Sequence, residues 1–240
     1  MIYVMYIVVV LIGYVIGSIP FGVILARIFA NKDIRQVGSG KMGMTNVMRA
    51  AGKKAAALAL LLDLGKGALS AFVAILVFKS AYVTGLTADS ANIIYYAQAL
   101  ASLAAIAGHT WSVFLRFTGG RGVSTFLGGL LVMYWPAAVF GGALMIIVGL
   151  VSKYMSLGSI FGAIAAFIML IIVVIAKSYP VEYMTYTIYT MICAVFIFVM
   201  HRDNVSRLVS GTERKLGKDT KSGNTPAADK HKKSVVSTFQ

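Results

Sequence analysis

Six apolar runs dominate this chain, most of them about as long as the ~20 residues a helix needs to cross a bilayer. They extend from about Tyr3 to Phe29, Ala55 to Phe78, Asn92 to Ala107, Val123 to Val151, Leu157 to Ala176 and Tyr183 to Met200. Hydrocarbon offers backbone amides no water, so such segments must satisfy their own hydrogen bonds as helices. The run from Val123 is too long for one crossing and carries Tyr134-Trp135-Pro136 in its middle. Proline disfavours helix in the residue before it, and Trp and Tyr favour the membrane interface. This run therefore reads as two crossings joined by a turn. The expected fold is an all-α integral membrane protein with seven transmembrane helices.

A soluble fold is excluded on composition. Of the 240 residues, 59% are hydrophobic and only 12% are charged, against about 25% charged in soluble domains. The net charge of +14 does not point to nucleic acid. The basic residues lie in short loops and a tail, without zinc-finger spacing or a basic stripe along a soluble helix.

Their placement fits the positive-inside rule. One set of loops holds Lys32, Arg35, Lys41, Arg49, Lys53 and Lys54, then Arg116 and Arg121, then Lys153, and finally Arg202, Arg207, Arg214 and Lys215. The opposite loops carry little beyond Lys79, Asp89, Lys177 and Glu182. The C-terminus is therefore expected in the cytoplasm and the N-terminus outside. No Lys or Arg precedes Arg27, so the first run lacks the basic start of a signal peptide and is expected to remain as a helix. Residues 1–216 read as the transmembrane domain. Residues 217–240 read as a basic, disordered cytoplasmic tail, with Lys230, Lys232 and Lys233 available to anionic headgroups. The single cysteine, Cys193, permits no internal disulfide. No metal-ligand cluster is visible, and no cofactor is expected.

Polar chemistry gathers at the cytoplasmic ends of the helices. The first cluster runs from Val37 to Arg49, VGSGKMGMTNVMR. Gly38, Gly40 and Gly43 permit close backbone approach, and successive N–H groups in such a loop form an anion nest. Ser39, Thr45 and Asn46 add neutral donors, and Arg49 adds a fork that fits phosphate. The second cluster begins at Gly108-His109 and ends in Gly119-Gly120-Arg121-Gly122, which opens the fourth span. A helix N-terminus with an arginine suits an anion. The third is Ser156-Leu-Gly-Ser159 at the start of the sixth span, and the fourth is His201-Arg-Asp-Asn204 with Arg207 and Glu213 after the seventh. Four such clusters at one face suggest a ligand with more than one anionic group. Within the spans, Asp63 and Lys66 read equally well as a functional site or a structural ion pair. Ser18 and Pro20 are placed to kink the first span and expose a carbonyl.

Taken in order, five segments resemble the bacterial acyl-phosphate:glycerol-3-phosphate acyltransferase family, PlsY. They are Gly17-Ser-Ile-Pro-Phe-Gly22, the Val37–Arg49 loop, Gly-His…Gly-Gly-Arg-Gly-Val, Ser-Leu-Gly-Ser-Ile, and His-Arg-Asp-Asn…Arg-Leu…Gly-Thr-Glu. The resemblance covers roughly residues 5–216. It implies transfer of a fatty acyl group from acyl phosphate to the 1-hydroxyl of glycerol 3-phosphate, giving lysophosphatidic acid and phosphate. It also implies an inner-membrane location with the site facing the cytoplasm, and a functional link to a soluble enzyme that makes acyl phosphate. The chain departs from the family's usual residues at Lys41, Met44, Trp111, Ser112 and Arg121, where Asn, Ala, Phe, Pro and Lys are common.

On this reading Ser39, Thr45, Asn46, His201 and Asn204 form the catalytic group. Substrate and phosphate binding falls to Gly38, Gly40, Gly43, Arg49, His109, Gly119, Gly120, Arg121, Gly122, Ser156, Ser159, Arg207 and Glu213. Acyl phosphate is already activated, so orientation and charge stabilisation are the main tasks. The His-x₄-Asp pair of other glycerophosphate acyltransferases is absent, because Phe114 and Ser206 stand five residues beyond the two candidate histidines. A transporter would place its site near the midplane on broken helices. A non-catalytic scaffold would have no use for four Gly/Arg/Ser clusters.

Overall fold

The computed structural model describes residues 2–79 and 90–216. Eight α-helices occur among them: α1 (Ile2–Ser18), α2 (Phe21–Ala30), α3 (Met44–Lys79), α4 (Ser90–Thr110), α5 (Val123–Ser152), α6 (Met155–Ala176), α7 (Val181–Met200) and α8 (Arg202–Val209). The expected tail and Asp89 lie outside the described residues. Five helical stretches are long and apolar enough to cross a membrane, with α1 and α2 counted together as Ile2–Ala30.

The first span is interrupted where Pro20 lacks an N–H and cannot continue the ladder. The break leaves the carbonyls of Ser18 and Ile19 available to side chains. Ser112 Oγ donates to Ser18 O at 2.6 Å and Lys66 Nζ donates to Ile19 O at 3.3 Å. The kink expected from Ser18 and Pro20 is thus present, and the polar side chains of two other segments hold it.

The Val123–Ser152 run is also interrupted, at Tyr134, whose φ of −153° and ψ of 88° are not helical. A Cβ built on Gly142 would lie 3.8 Å from Leu127 Cδ1. In a straight helix those positions would be about 22 Å apart. The chain therefore doubles back, and residues 123–133 and 135–152 form two arms of a hairpin, as the Tyr-Trp-Pro signal suggests. Helix α3 begins earlier than the apolar run it contains. Its residues 44–51 form a separate helical piece, set off by Gly52 at φ +83°.

Helices pack through small residues, as expected where lipid removes the hydrophobic drive between them. Gly17 of α1 rests on the carbonyl of Ala105 in α4, and Gly67 of α3 rests on that of Thr125 in α5. A side chain at either position would force these helices apart. Phe126, Leu130, Leu170, Tyr186, Tyr189 and Ile197 build the main core between α5, α6 and α7. A second core under the first loop, with Val23, Ala26, Ile34, Met42 and Val47, seats that loop on α2 and α3.

Candidate active site

The first loop is wound around one side chain. Asn46, in the first turn of α3, directs Nδ2 at the carbonyls of Ile34 (3.2 Å), Val37 (2.9 Å) and Lys41 (2.8 Å). Its Oδ1 accepts from the Ser39 N–H at 3.3 Å. Gly38, at φ +56°, packs so closely on Asn46 Oδ1 that no Cβ fits. The Asn46 amide is thus engaged in shaping the loop, while the residue also lines the cavity described below. The expected nest is corrected. The Ser39 N–H goes to Asn46, that of Gly40 to Val37 O, and that of Lys41 faces Ser39 Oγ. These three donors point into the loop.

The second cluster is a compact excursion between α4 and α5, closed by the antiparallel bridge of Ser112 with Thr118. The Gly120 N–H donates to His109 O at 3.0 Å. Gly119 and Gly120 both lie against His109 with no room for a Cβ. Gly122, at φ +80°, caps α5. Arg121 stands between these turns, with Nε buried and without a partner.

Glu213 joins the third and fourth clusters. Its Oε1 accepts from Asn204 Nδ2 at 2.6 Å and from Ser156 Oγ at 3.1 Å, and its Oε2 accepts from Arg207 Nε at 2.7 Å. Burial pushes the Glu213 carboxyl up, but the donors Asn204, Arg207 and Ser156 outweigh it and hold the group below its ordinary value. Ser159 Oγ donates to Met155 O at 2.8 Å, within its own helix. Both serine hydroxyls, expected to donate to an oxyanion, are therefore aimed at protein acceptors instead. His201 Nδ1 lies 2.8 Å from Ile197 O. A carbonyl only accepts, so Nδ1 carries the proton and Nε2 is left as an acceptor. Burial, reinforced by the charge of Arg121, pushes the His201 pKa down to about 4.

These segments enclose one cavity of about 120 Å³. Of the expected residues, Ser39, Gly43, Thr45, Asn46, Arg49, His109, Arg121, Gly122, Ser156, Ser159, His201, Asn204, Arg207 and Glu213 line it. Gly38, Gly40, Gly119 and Gly120 do not; they set the turns behind it. Asp63 also reaches the cavity, together with the apolar Leu60, Met145 and Met155. No sequence signal marked those three, since apolar residues on an apolar helix look alike. The side chains of Lys41 and Arg214 line the cavity unpaired among the described residues but exposed, whereas Arg49 and Arg121 are partly buried. Neither has a hydrogen bond or ion pair with any described residue, whereas Arg207 is held by Glu213. Unpaired guanidiniums beside a cavity favour an anionic guest.

Membrane-length apolar helices, with partly buried, unpaired guanidiniums at a cavity between their ends, define a membrane protein whose cavity suits an anion. The comparisons make that class specific. Residues 7–211 match the family described as glycerol-3-phosphate acyltransferase. Glycerol-3-phosphate acyltransferase 3 of Dehalococcoides mccartyi (strain CBDB1) is 45% identical over 209 residues, covering 87% of this chain and 94% of the relative. The glycerol-3-phosphate acyltransferase of Zymomonas mobilis is 38% identical, covering 85% and 92%. The crystal structure of PlsY (YgiH), an integral membrane glycerol 3-phosphate acyltransferase, in its glycerol 3-phosphate form superposes with a TM-score of 0.72 at 32% identity, covering 88% of this chain and 96% of that one. Its lysophosphatidic acid form gives 0.70 at 30% identity. The chain belongs to the glycerol-3-phosphate acyltransferase family, and it is an integral membrane enzyme of that kind.

Proposed function

We propose that this enzyme transfers a fatty acyl group from acyl phosphate to the 1-hydroxyl of sn-glycerol 3-phosphate, giving lysophosphatidic acid and phosphate. The observation that carries the reading is the pair Arg49 and Arg121, the two partly buried guanidiniums that line one cavity without a partner among the described residues. Two phosphate groups are present in the reaction, one on each substrate. In the reaction the bond between the acyl carbon and the phosphate oxygen breaks, and the glycerol oxygen bonds to that carbon. The hydroxyl proton passes to a phosphate oxygen. Arg121 and Arg49 take the phosphates and offset the charge that develops on the departing one. Neutral His201 offers Nε2 to the glycerol, beside Asn204, and Ser39 and Thr45 line the same cavity. The apolar side of the cavity, with Leu60, Met145 and Met155, faces the acyl carbon chain.

In this reading the chain crosses the membrane seven times, counting both arms of α5. The N-terminus lies outside and the site faces the cytoplasm of a bacterial cell at its inner membrane. Residues 1–216 are the catalytic domain and 217–240 a basic tail. A soluble enzyme that makes acyl phosphate supplies the donor. The test uses purified protein with palmitoyl phosphate and labelled glycerol 3-phosphate. Labelled lysophosphatidic acid is expected; label accumulating inside sealed vesicles without lipid product would indicate a transporter, and product only with palmitoyl-CoA would overturn the donor assignment.

A further inference from the structure

Three buried polar side chains next to the cavity have no role in the reaction just described. Asp63 and Lys66 of α3 form an ion pair, Oδ1 to Nζ 2.9 Å, and both are almost fully buried. His109 of α4 brings Nδ1 to 3.6 Å from the same Asp63 Oδ1. These residues come from two helices, and they connect two irregular backbone segments. At one end Lys66 Nζ reaches the Ile19 carbonyl freed by the Pro20 break and lies 5.9 Å from the Phe21 ring centroid. At the other end the His109 ring is wedged against Gly120, and the His109 carbonyl receives the Gly120 N–H. Arg121 follows immediately.

Two features argue against a mere neutral anchor. An unpaired carboxylate on the wall of an anion cavity would repel phosphate, and Lys66 cancels that charge while leaving Asp63 free to face the imidazole. The Gly119-Gly120 turn has no side chain of its own, so its shape depends on what fills the space behind it. His109 fills it. We propose that Asp63 and His109 act as a strut that holds the Gly119-Gly120 turn and so aims the Arg121 guanidinium into the cavity. Lys66 anchors the strut to the broken first span. All three are positioning residues. The inference rests on Arg121 being a phosphate ligand, and its test separates the two claims.

The experiment titrates purified enzyme with inorganic phosphate by calorimetry and measures acyl transfer and thermal midpoint alongside. The variants are Arg121→Ala, Asp63→Leu with Lys66→Met, and the combination of all three. Replacing a buried ion pair by apolar residues of similar volume is often tolerated, so the paired variant is expected to fold. It should bind phosphate about tenfold more weakly, within the coupling range of contacting residues. Adding Arg121→Ala should then cost less than about twofold more, because the strut acts through that arginine. Losses that multiply independently, or a paired variant with wild-type phosphate affinity, overturn the strut. If the paired variant fails to fold, His109→Asn enters the same cycle with the same two readings. Unchanged phosphate affinity in Arg121→Ala sinks the ligand role and the strut with it. Failure of acyl transfer in the wild type leaves the phosphate cycle to decide the strut by itself.

Discussion

Replacing Arg121 with alanine separates binding chemistry from stability more cleanly than any other change in this protein. The guanidinium has no carboxylate or carbonyl partner among the described residues, so its removal strands no buried group. Burial already pushes its pKa down, the sign of a cation held against a desolvation cost. The thermal midpoint of Arg121→Ala should therefore equal or slightly exceed that of the wild type. Activity should behave differently. A hydrogen bond to a charged group contributes about 1.5–3 kcal/mol, and a forked arginine–phosphate contact makes two. Loss of both corresponds to about 10²–10⁴ in kcat/KM, at roughly 1.4 kcal/mol per factor of ten. Arg121→Lys keeps the charge but loses the fork, and should fall between the two. The assay is steady-state transfer from palmitoyl phosphate to labelled glycerol 3-phosphate, with unfolding followed on the same preparations. Wild-type turnover in Arg121→Ala, or loss of activity that tracks loss of fold, would refute the reasoning.

The other residues of the site give contrasting expectations. Glu213→Ala strands Arg207, Asn204 and Ser156 together; with Arg207 partly exposed it should destabilise by about 2–4 kcal/mol, lowering thermal midpoint and activity in parallel. Asn46→Asp replaces an amide donor with a carboxylate facing three carbonyls; tryptic cleavage at Lys41 should accelerate, and unchanged cleavage would argue that the loop does not depend on Asn46. His201, with its pKa pushed down to about 4, should stay neutral across the working range, so kcat should show no limb near pH 6–7 that His201→Asn removes. Between that value and the ~6.5 of an unfolded histidine the unfolded chain binds the extra proton, so stability rises with pH through this window. The His201 contribution, up to about 3 kcal/mol, is complete above pH ~6.5 and lost as pH falls toward 4; a thermal midpoint independent of pH over that range would contradict its burial as a neutral ring.

Much of this protein could be read without coordinates because the relevant signals are local. Apolar length alone dictates helices in a medium without water. Pro20 breaks the first span because proline has no N–H to give, and the Tyr134-Trp135-Pro136 turn folds the long run back on itself. The four polar clusters could be recognised because Gly, Ser and Arg stand out against apolar helices. What the tertiary structure alone decided is which partner each buried polar group finds. Asn46, expected to face a ligand, lines the cavity and also organises its own loop. The hydroxyls of Ser156 and Ser159 turn toward Glu213 and Met155 O, leaving Arg49 and Arg121 as the partly buried charges without a partner among the described residues. Asp63 meets His109 across 46 positions of sequence, with no spacing motif to announce it. Most buried donors and acceptors are satisfied by whatever packing brings within about 3 Å, and Arg121 Nε is an exception. Proximity of that kind is a property of helices packed together, and no stretch of sequence encodes it alone.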